Sequence, residues 1–148
     1  MLNNIQALPA NMGKLITVTP PNPSSGANFQ YDVPVGTIIL PVSFSCIVVT
    51  DATVITRTML IATFDGATNI FITPSEILHT ASLTRTYTCQ AGNNMKTPNV
   101  NYIYQTINLS SLNYMRFGDQ FRTVFDQIQA GDAITSCCLR YMQWIQAT

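Results

Sequence analysis

A single histidine, His79, limits what this chain can do by side-chain chemistry. Ser–His–Asp and Cys–His catalysis both need an imidazole as general base, so either would have to run through His79. It stands between Leu78 and Thr80, close to Pro74, and reads as an exposed or partly packed loop residue. A glycosidase needs a carboxylate pair across the scissile bond. Glu76 is the only glutamate, and Asp51, Asp65, Asp119 and Asp132 all fall in turn positions, where aspartate bonds its own backbone. The same aspartates would bind Ca²⁺ only if they converged, and no loop carries the clustered oxygens of such a site. Zinc needs four converging ligands; Cys46, Cys89, Cys137 and Cys138 contain no C-x-x-C. They read as reduced packing residues. No P-loop, G-x-G-x-x-G, H-E-x-x-H or G-x-S-x-G is present. The expectation is a protein that is not an enzyme and takes no cofactor or metal.

Aromatic residues offer a different chemistry. Tyr102, Tyr104, Tyr114, Tyr141 and Trp144 suit cross-strand core pairs, an oligomer interface, or a sugar-stacking surface. All three readings stay open from the sequence.

Charged residues make up 9% of the 148 positions, against a usual share of roughly 25%. Seven basic residues balance seven acidic ones. Such a surface has little repulsion to keep copies apart, which favours life in an assembly. The cations are scattered, and nucleic-acid binding wants them clustered. No stretch resembles a secretory signal, and the longest apolar run is broken by Gly36, Pro41, Ser43 and Ser45, too short to span a bilayer. The expectation is a protein made in a cytoplasm, with neither nucleic acid nor membrane as partner.

The elements that position these residues are strands. Val35 to Cys89 reads as four of them. Val35–Thr50 is dense in β-branched residues, with Phe44, Cys46 and Val48 on one face. Thr50-Asp51-Ala52 supplies a turn. Thr53–Phe64 follows, with Val54, Thr56, Thr58, Leu60 and Ala62 opposite Ile55, Arg57, Met59, Ile61 and Thr63; Arg57 marks its face as the wetter one. Asp65-Gly66 is a hairpin signal. Asn69–Thr73 resumes as a strand. Thr80–Cys89 alternates most clearly, with Ala81, Leu83, Arg85, Tyr87 and Cys89 against a threonine-rich row. Arg85 then sits at a rim or interface with its stem packed.

Gln90–Val100 reads as a loop and Tyr102–Leu109 as a strand. Phe121–Ile128 fits a strand better than a short helix, because Ala130-Gly131-Asp132 reads as a hairpin turn. Ala133–Ile145 is the last strand, with Ile134, Ser136, Cys138, Arg140, Met142 and Trp144 on one face and Thr135, Cys137, Leu139, Tyr141, Gln143 and Ile145 on the other. Residues 1–28 differ. They hold Pro9, Pro20, Pro21 and Pro23, with one strand-like run at Lys14–Thr19. They read as a loose terminus or as an extended arm docking on a neighbour. The fold class is therefore all-β: a single antiparallel β-sandwich over 29–148, jelly-roll-like, with about eight strands, preceded by a Pro-rich arm over 1–28.

Three segments, TDATVITRTMLIATFDGATNIF, TASLTRTYTC and IQAGDAITSCCLRYMQWI, resemble a family of small proteins encoded among the virion genes of tailed bacteriophages. Thr50, Asp51, Ala52, Val54, Arg57, Asp65, Gly66, Ala81, Ser82, Leu83, Thr84, Arg85, Ala130, Gly131, Asp132 and Trp144 carry the match, which covers Val35 to Ile145. Residues 1–30 depart from it. The resemblance implies a capsid cement or decoration protein, commonly trimeric, located on the virion and partnered by the major capsid protein. The alternative is a glycan-binding or host-contact module of a fibre or tail. Interface candidates are Leu15, Ile16, Val18, Pro20 and Pro21 in the arm, and Arg57, Arg85, Tyr102, Tyr104, Tyr141 and Trp144 in the sandwich.

Overall fold

A computed structural model describes residues 13–74, 78–91, 102–107 and 114–145, without the side chains of 70–74, 91 and 102–107. Ten strands are described: β1 (Lys14–Val18), β2 (Gln30–Asp32), β3 (Thr37–Val49), β4 (Met59–Phe64), β5 (Asn69–Pro74), β6 (Thr84–Ala91), β7 (Tyr102–Ile107), β8 (Met115–Arg116), β9 (Gln120–Phe125) and β10 (Ala133–Ile145). There is no helix among the described residues. The larger sheet runs β1-β10-β3-β6-β7, with β8 also paired to β3, and the smaller runs β2-β9-β4-β5. Neighbours are antiparallel except β6 and β7, which are parallel. That pair corrects the wholly antiparallel expectation.

The core lies between the sheets. Phe44 of β3 packs its ring on Phe29 at 5.1 Å and on Phe121 of β9 at 5.3 Å. Ile39, Val48, Tyr87, Leu139 and Ile134 from the larger sheet meet Met59, Ile61 and Phe125 from the smaller. Each such side chain taken from water stabilises by roughly 1.5–3 kcal/mol. Cys46, Cys89 and Cys137 belong to this core. Burial pushes the Cys89 thiol up to about 12 and that of Cys137 to about 11. Cys138 is half-buried.

Two bulges set which face each long strand presents. On β10, Thr135 pairs with Ile47 but Cys138 with Ser45, so one extra β10 residue is inserted. Ser136 sits there at φ 52°. Ile134 before the bulge and Cys137, Leu139 and Tyr141 after it therefore all point inward. On β3 the insertion is Val42, since Arg140 pairs with Ser43 and Tyr141 with Pro41. Thr37, Ile39 and Pro41 face inward before it, and Phe44, Cys46 and Val48 after it. A bulge moves every later side chain to the other face, which is why simple alternation misplaced Ile134. It also accommodates Pro41, which lies beyond the β6 pairing that ends at Ser43.

The β4–β5 hairpin forms at Asp65-Gly66, where Asp65 Oδ1 accepts from the N–H groups of Ala67 and Thr68 at 2.9 and 2.7 Å. Phe121–Phe125 is strand, as expected, but Ala130-Gly131-Asp132 is not a hairpin. It links β9 of the smaller sheet to β10 of the larger. Thr53–Thr58 is not strand either: β4 is Met59–Phe64, and before it only Arg57 pairs, in an isolated bridge with His79. The segment set apart as an arm is, from Lys14 on, part of the sandwich. β1 pairs in register with β10, the Gly26 N–H donates to the Asp132 carbonyl at 2.8 Å, and Asn28 Oδ1 accepts from the Phe125 N–H at 2.7 Å. Residues 1–12 lie outside the described residues.

Candidate functional site

The outer face of the larger sheet divides at the β3 bulge. Register gives its membership, since partners across a ladder share a face. Beyond the bulge, Ser43, Ser45 and Ile47 lie beside Gln90, Thr88 and Thr86 of β6, and Arg140 of β10 lies beside Ser43. This half is mostly hydroxyl-bearing. Before the bulge, Ile38 is opposite Trp144 and Arg116, while Leu40 is opposite Met142, which is opposite Leu15 of β1. This half is apolar. Ile38, Leu40, Met142 and Trp144 are half-buried, and Leu15 is 47% exposed.

At its end the face deepens into a partly open pocket of about 390 Å³ lined by Ile38, Tyr114, Arg116 and Trp144. The Tyr114 ring stands edge-on to Trp144, centroids 5.5 Å apart. Gly13 lies against the indole so closely that a Cβ there would meet Trp144 Cε2 at 2.7 Å. Val35, Phe117 and Ile145, 77%, 62% and 87% exposed, rim this end of the molecule. The face's charges, among the described residues, are Arg116 and Arg140, with no Asp or Glu.

A second polar constellation is fully structural. Arg57, expected nearer solvent, is fully buried on the core face with Met59 and Ile61. Its Nε donates to Asp132 Oδ2 and its Nη2 to Asp51 Oδ1, both at 2.7 Å, and its Nη1 to the Ile55 carbonyl at 3.1 Å. Asp132 Oδ1 accepts from the Asp51 N–H at 2.9 Å. Partial burial works against charge at Asp51, but the N–H and hydroxyl of Thr53 and the Arg57 guanidinium outweigh it and hold its carboxyl low. Gly131 makes room, since a Cβ there would meet Asp51 Cβ at 2.8 Å. His79, expected on a loop with some exposure, is fully buried beside this cluster. It forms an isolated antiparallel bridge with Arg57. Its Nδ1 lies 3.2 Å from the Tyr87 hydroxyl and its Nε2 3.3 Å from the Leu83 carbonyl. The carbonyl only accepts, so Nε2 carries the proton and Nδ1 accepts from Tyr87. Burial, together with Arg85 and Arg57, lowers its pKa to about 4 despite the Leu83 carbonyl.

The interface candidates thus scatter. Trp144 and Leu15 reach the outer face. Ile16 and Val18 are partly buried against the core, Pro20 is half-buried and Pro21 is exposed beyond β1. Arg57 is not interfacial but buried. Tyr141 is likewise a core residue, its hydroxyl 2.8 Å from that of Tyr31. Arg85 Nη1 donates to the Leu78 carbonyl at 2.7 Å, tying β6 to its own lead-in. Tyr102 and Tyr104 lie on β7, with side chains outside the described residues. Tyr114, already among the aromatic candidates, lies here, while Ile38, Leu40, Arg116 and Met142 were missed. The signal for them was the alternation before Pro41 and the apolar tail of β10, but the face they share exists only once β8 is placed against β3. Comparison with protein-family models, with curated proteins and with solved structures finds no match.

Proposed function

We propose that this chain is a structural protein of a virus particle, binding the outside of the assembled shell and clamping neighbouring major capsid subunits. The observation that carries the reading is the apolar half-face of Ile38, Leu40, Met142 and Trp144, bare of carboxylates in a chain with no net charge. These four are half-buried, with Leu15 and Tyr114 exposed beside them, and partly exposed apolar side chains gathered on one face suit a protein contact. The strand order supports a jelly-roll reading. β1-β10-β3-β6 over β2-β9-β4-β5 is the order of two interleaved Greek keys, with β7 and β8 added between β6 and β9. Shell proteins use this architecture, as do lectins, so the site and not the fold decides between them. Residues expected in an arm contribute through β1, whose Leu15 extends the apolar half-face to the sheet edge. As a trimer the protein would hold several capsid subunits at once, and weak contacts would add by avidity.

The test is sedimentation with shells of the virus that encodes the chain, and counting copies per particle by densitometry. The reading expects hundreds of copies on the head, lost in the double variant Leu40→Glu, Met142→Glu with an unchanged melting temperature. Six or twelve copies would place the protein in a tail or neck. Undiminished binding by the variant would remove this face from the mechanism.

A further inference from the structure

The Trp144 pocket supports a more specific inference, which rests on the outer face being the partner-binding surface. Its volume of about 390 Å³ falls at the small end of the range for ligand sites. Its described walls are carbon-rich, from Ile38, Tyr114 and Trp144, and Arg116 is the one formal charge among the described lining residues. Asp119, next along the turn, accepts the Arg116 backbone N–H on its Oδ2 at 2.8 Å. Arg140, farther along the face, adds a second positive charge.

We propose that this pocket receives an acidic peptide segment of the partner, one that places an aliphatic side chain against Trp144 and Ile38 and a neighbouring carboxylate on Arg116. A guanidinium presents a planar fork that meets a carboxylate through two parallel N–H···O bonds. Apolar walls around that pair lower the local dielectric and strengthen it. The absence of carboxylates from the described outer face gives the complementary sign to the partner. A saccharide fits less well. Its ring of hydroxyls needs both donors and acceptors, and the described lining residues include no amide or carboxylate side chain to supply them.

Trp144 is the one tryptophan in the chain, so its emission reports on the pocket directly. The full chain is titrated with three probes: a capped tetrapeptide holding leucine beside glutamate, the same peptide with glutamine for glutamate, and glucuronic acid. The expected result is a saturable emission change with the glutamate peptide, at least tenfold weaker with the glutamine peptide. Arg116→Gln should abolish that preference. Equal response to the two peptides, no response to either, or a response to glucuronic acid alone overturns the proposal, the last assigning a sugar instead. Shell binding separates this inference from the proposed function. Wild type and Arg116→Gln binding shells equally would remove the pocket and keep the function. A chain that takes the glutamate peptide but ignores shells would remove the function and keep the pocket.

Discussion

Arg57 Nε donates to Asp132 Oδ2 at 2.7 Å with both side chains wholly removed from solvent. The pair joins the β3–β4 crossover to the turn that carries the chain from the smaller sheet to the larger. With Asp51, in the same crossover, as the second partner at 2.7 Å, and the Asp51 N–H donating to Asp132 Oδ1, it ties the crossover to that turn at two points. Asp51, Arg57, Gly131 and Asp132 are thus the parts of one structural clasp.

Removing the guanidinium leaves two carboxylates facing each other with no countercharge. Arg57→Met is expected to cost about 3–5 kcal/mol, the usual result of breaking a buried pair from one side. Arg57→Lys should recover only part of this, because an ammonium cannot reproduce the fork that serves Asp132, Asp51 and the Ile55 carbonyl together. Urea unfolding at pH 7 measures both. A loss below about 1 kcal/mol for Arg57→Met would mean the clasp contributes no more than a surface pair.

His79 gives the fold an acid limit. Its pKa lies at about 4 in the folded chain against 6.5 unfolded, so between those values the unfolded state binds more protons. Stability is then full above pH 6.5 and falls as the pH drops towards 4, by up to about 3 kcal/mol. The carboxyl of Asp51, held low by Thr53 and Arg57, adds its own loss below the normal carboxylate range. Urea midpoints at pH 7, 5.5 and 4 test the slope. His79→Gln, which can still donate to the Leu83 carbonyl and accept from Tyr87, should flatten it between pH 6.5 and 4.

Ser136 is exposed and touches no core residue's role, yet its place in the chain matters more than its side chain. At φ 52° it occupies the left-handed region that glycine enters without strain. Ser136→Gly is expected to leave stability unchanged or raise it by up to about 1 kcal/mol. Deleting Ser136 removes the inserted residue and leaves Ile134, Cys137 and Leu139 on one face of β10 in plain alternation, so the variant should still fold, visible as retained near-ultraviolet circular dichroism of the packed aromatics. A deletion variant that loses this signal would show that the bulge itself, and not only the faces it sets, is needed for the fold.

The same bulge marks where sequence reading stopped working. Strand-forming composition placed β3, β4, β5, β6, β9 and β10, because β-branched runs and Asp-Gly are local signals. The shared face of Phe44, Cys46 and Val48 followed from alternation. What alternation cannot show is an inserted residue. Val42 and Ser136 carry no glycine to announce them, so the faces of Ile39 and Ile134 were legible only in the ladder. Arg57 and His79 were misplaced for a related reason. A charged or titratable side chain reads as wet unless its partners are known, and Asp132 stands 75 residues from Arg57. The outer-face pocket was equally hidden, since Ile38, Tyr114 and Trp144 come from β3, the lead-in to β8, and β10, and only register brings them together.

Gly13 offers a final check on that pocket's wall. Its φ of +71° and its contact with the indole both exclude a side chain, since the nearest atom to an added Cβ is Trp144 Cε2 at 2.7 Å. Gly13→Ala must therefore either move the start of β1 or push the indole away from it. Trp144 also borders Tyr114 across the pocket, so a displaced indole enters the space the partner's side chain would use. The expected outcome is a change in Trp144 emission maximum with a stability loss of about 1–2 kcal/mol for the strained backbone. Affinity for the glutamate peptide should weaken as well, although Gly13 contributes no atom to the charge contact at Arg116. Unaltered emission and unaltered peptide binding in Gly13→Ala would show that the β1 lead-in does not hold the indole in place.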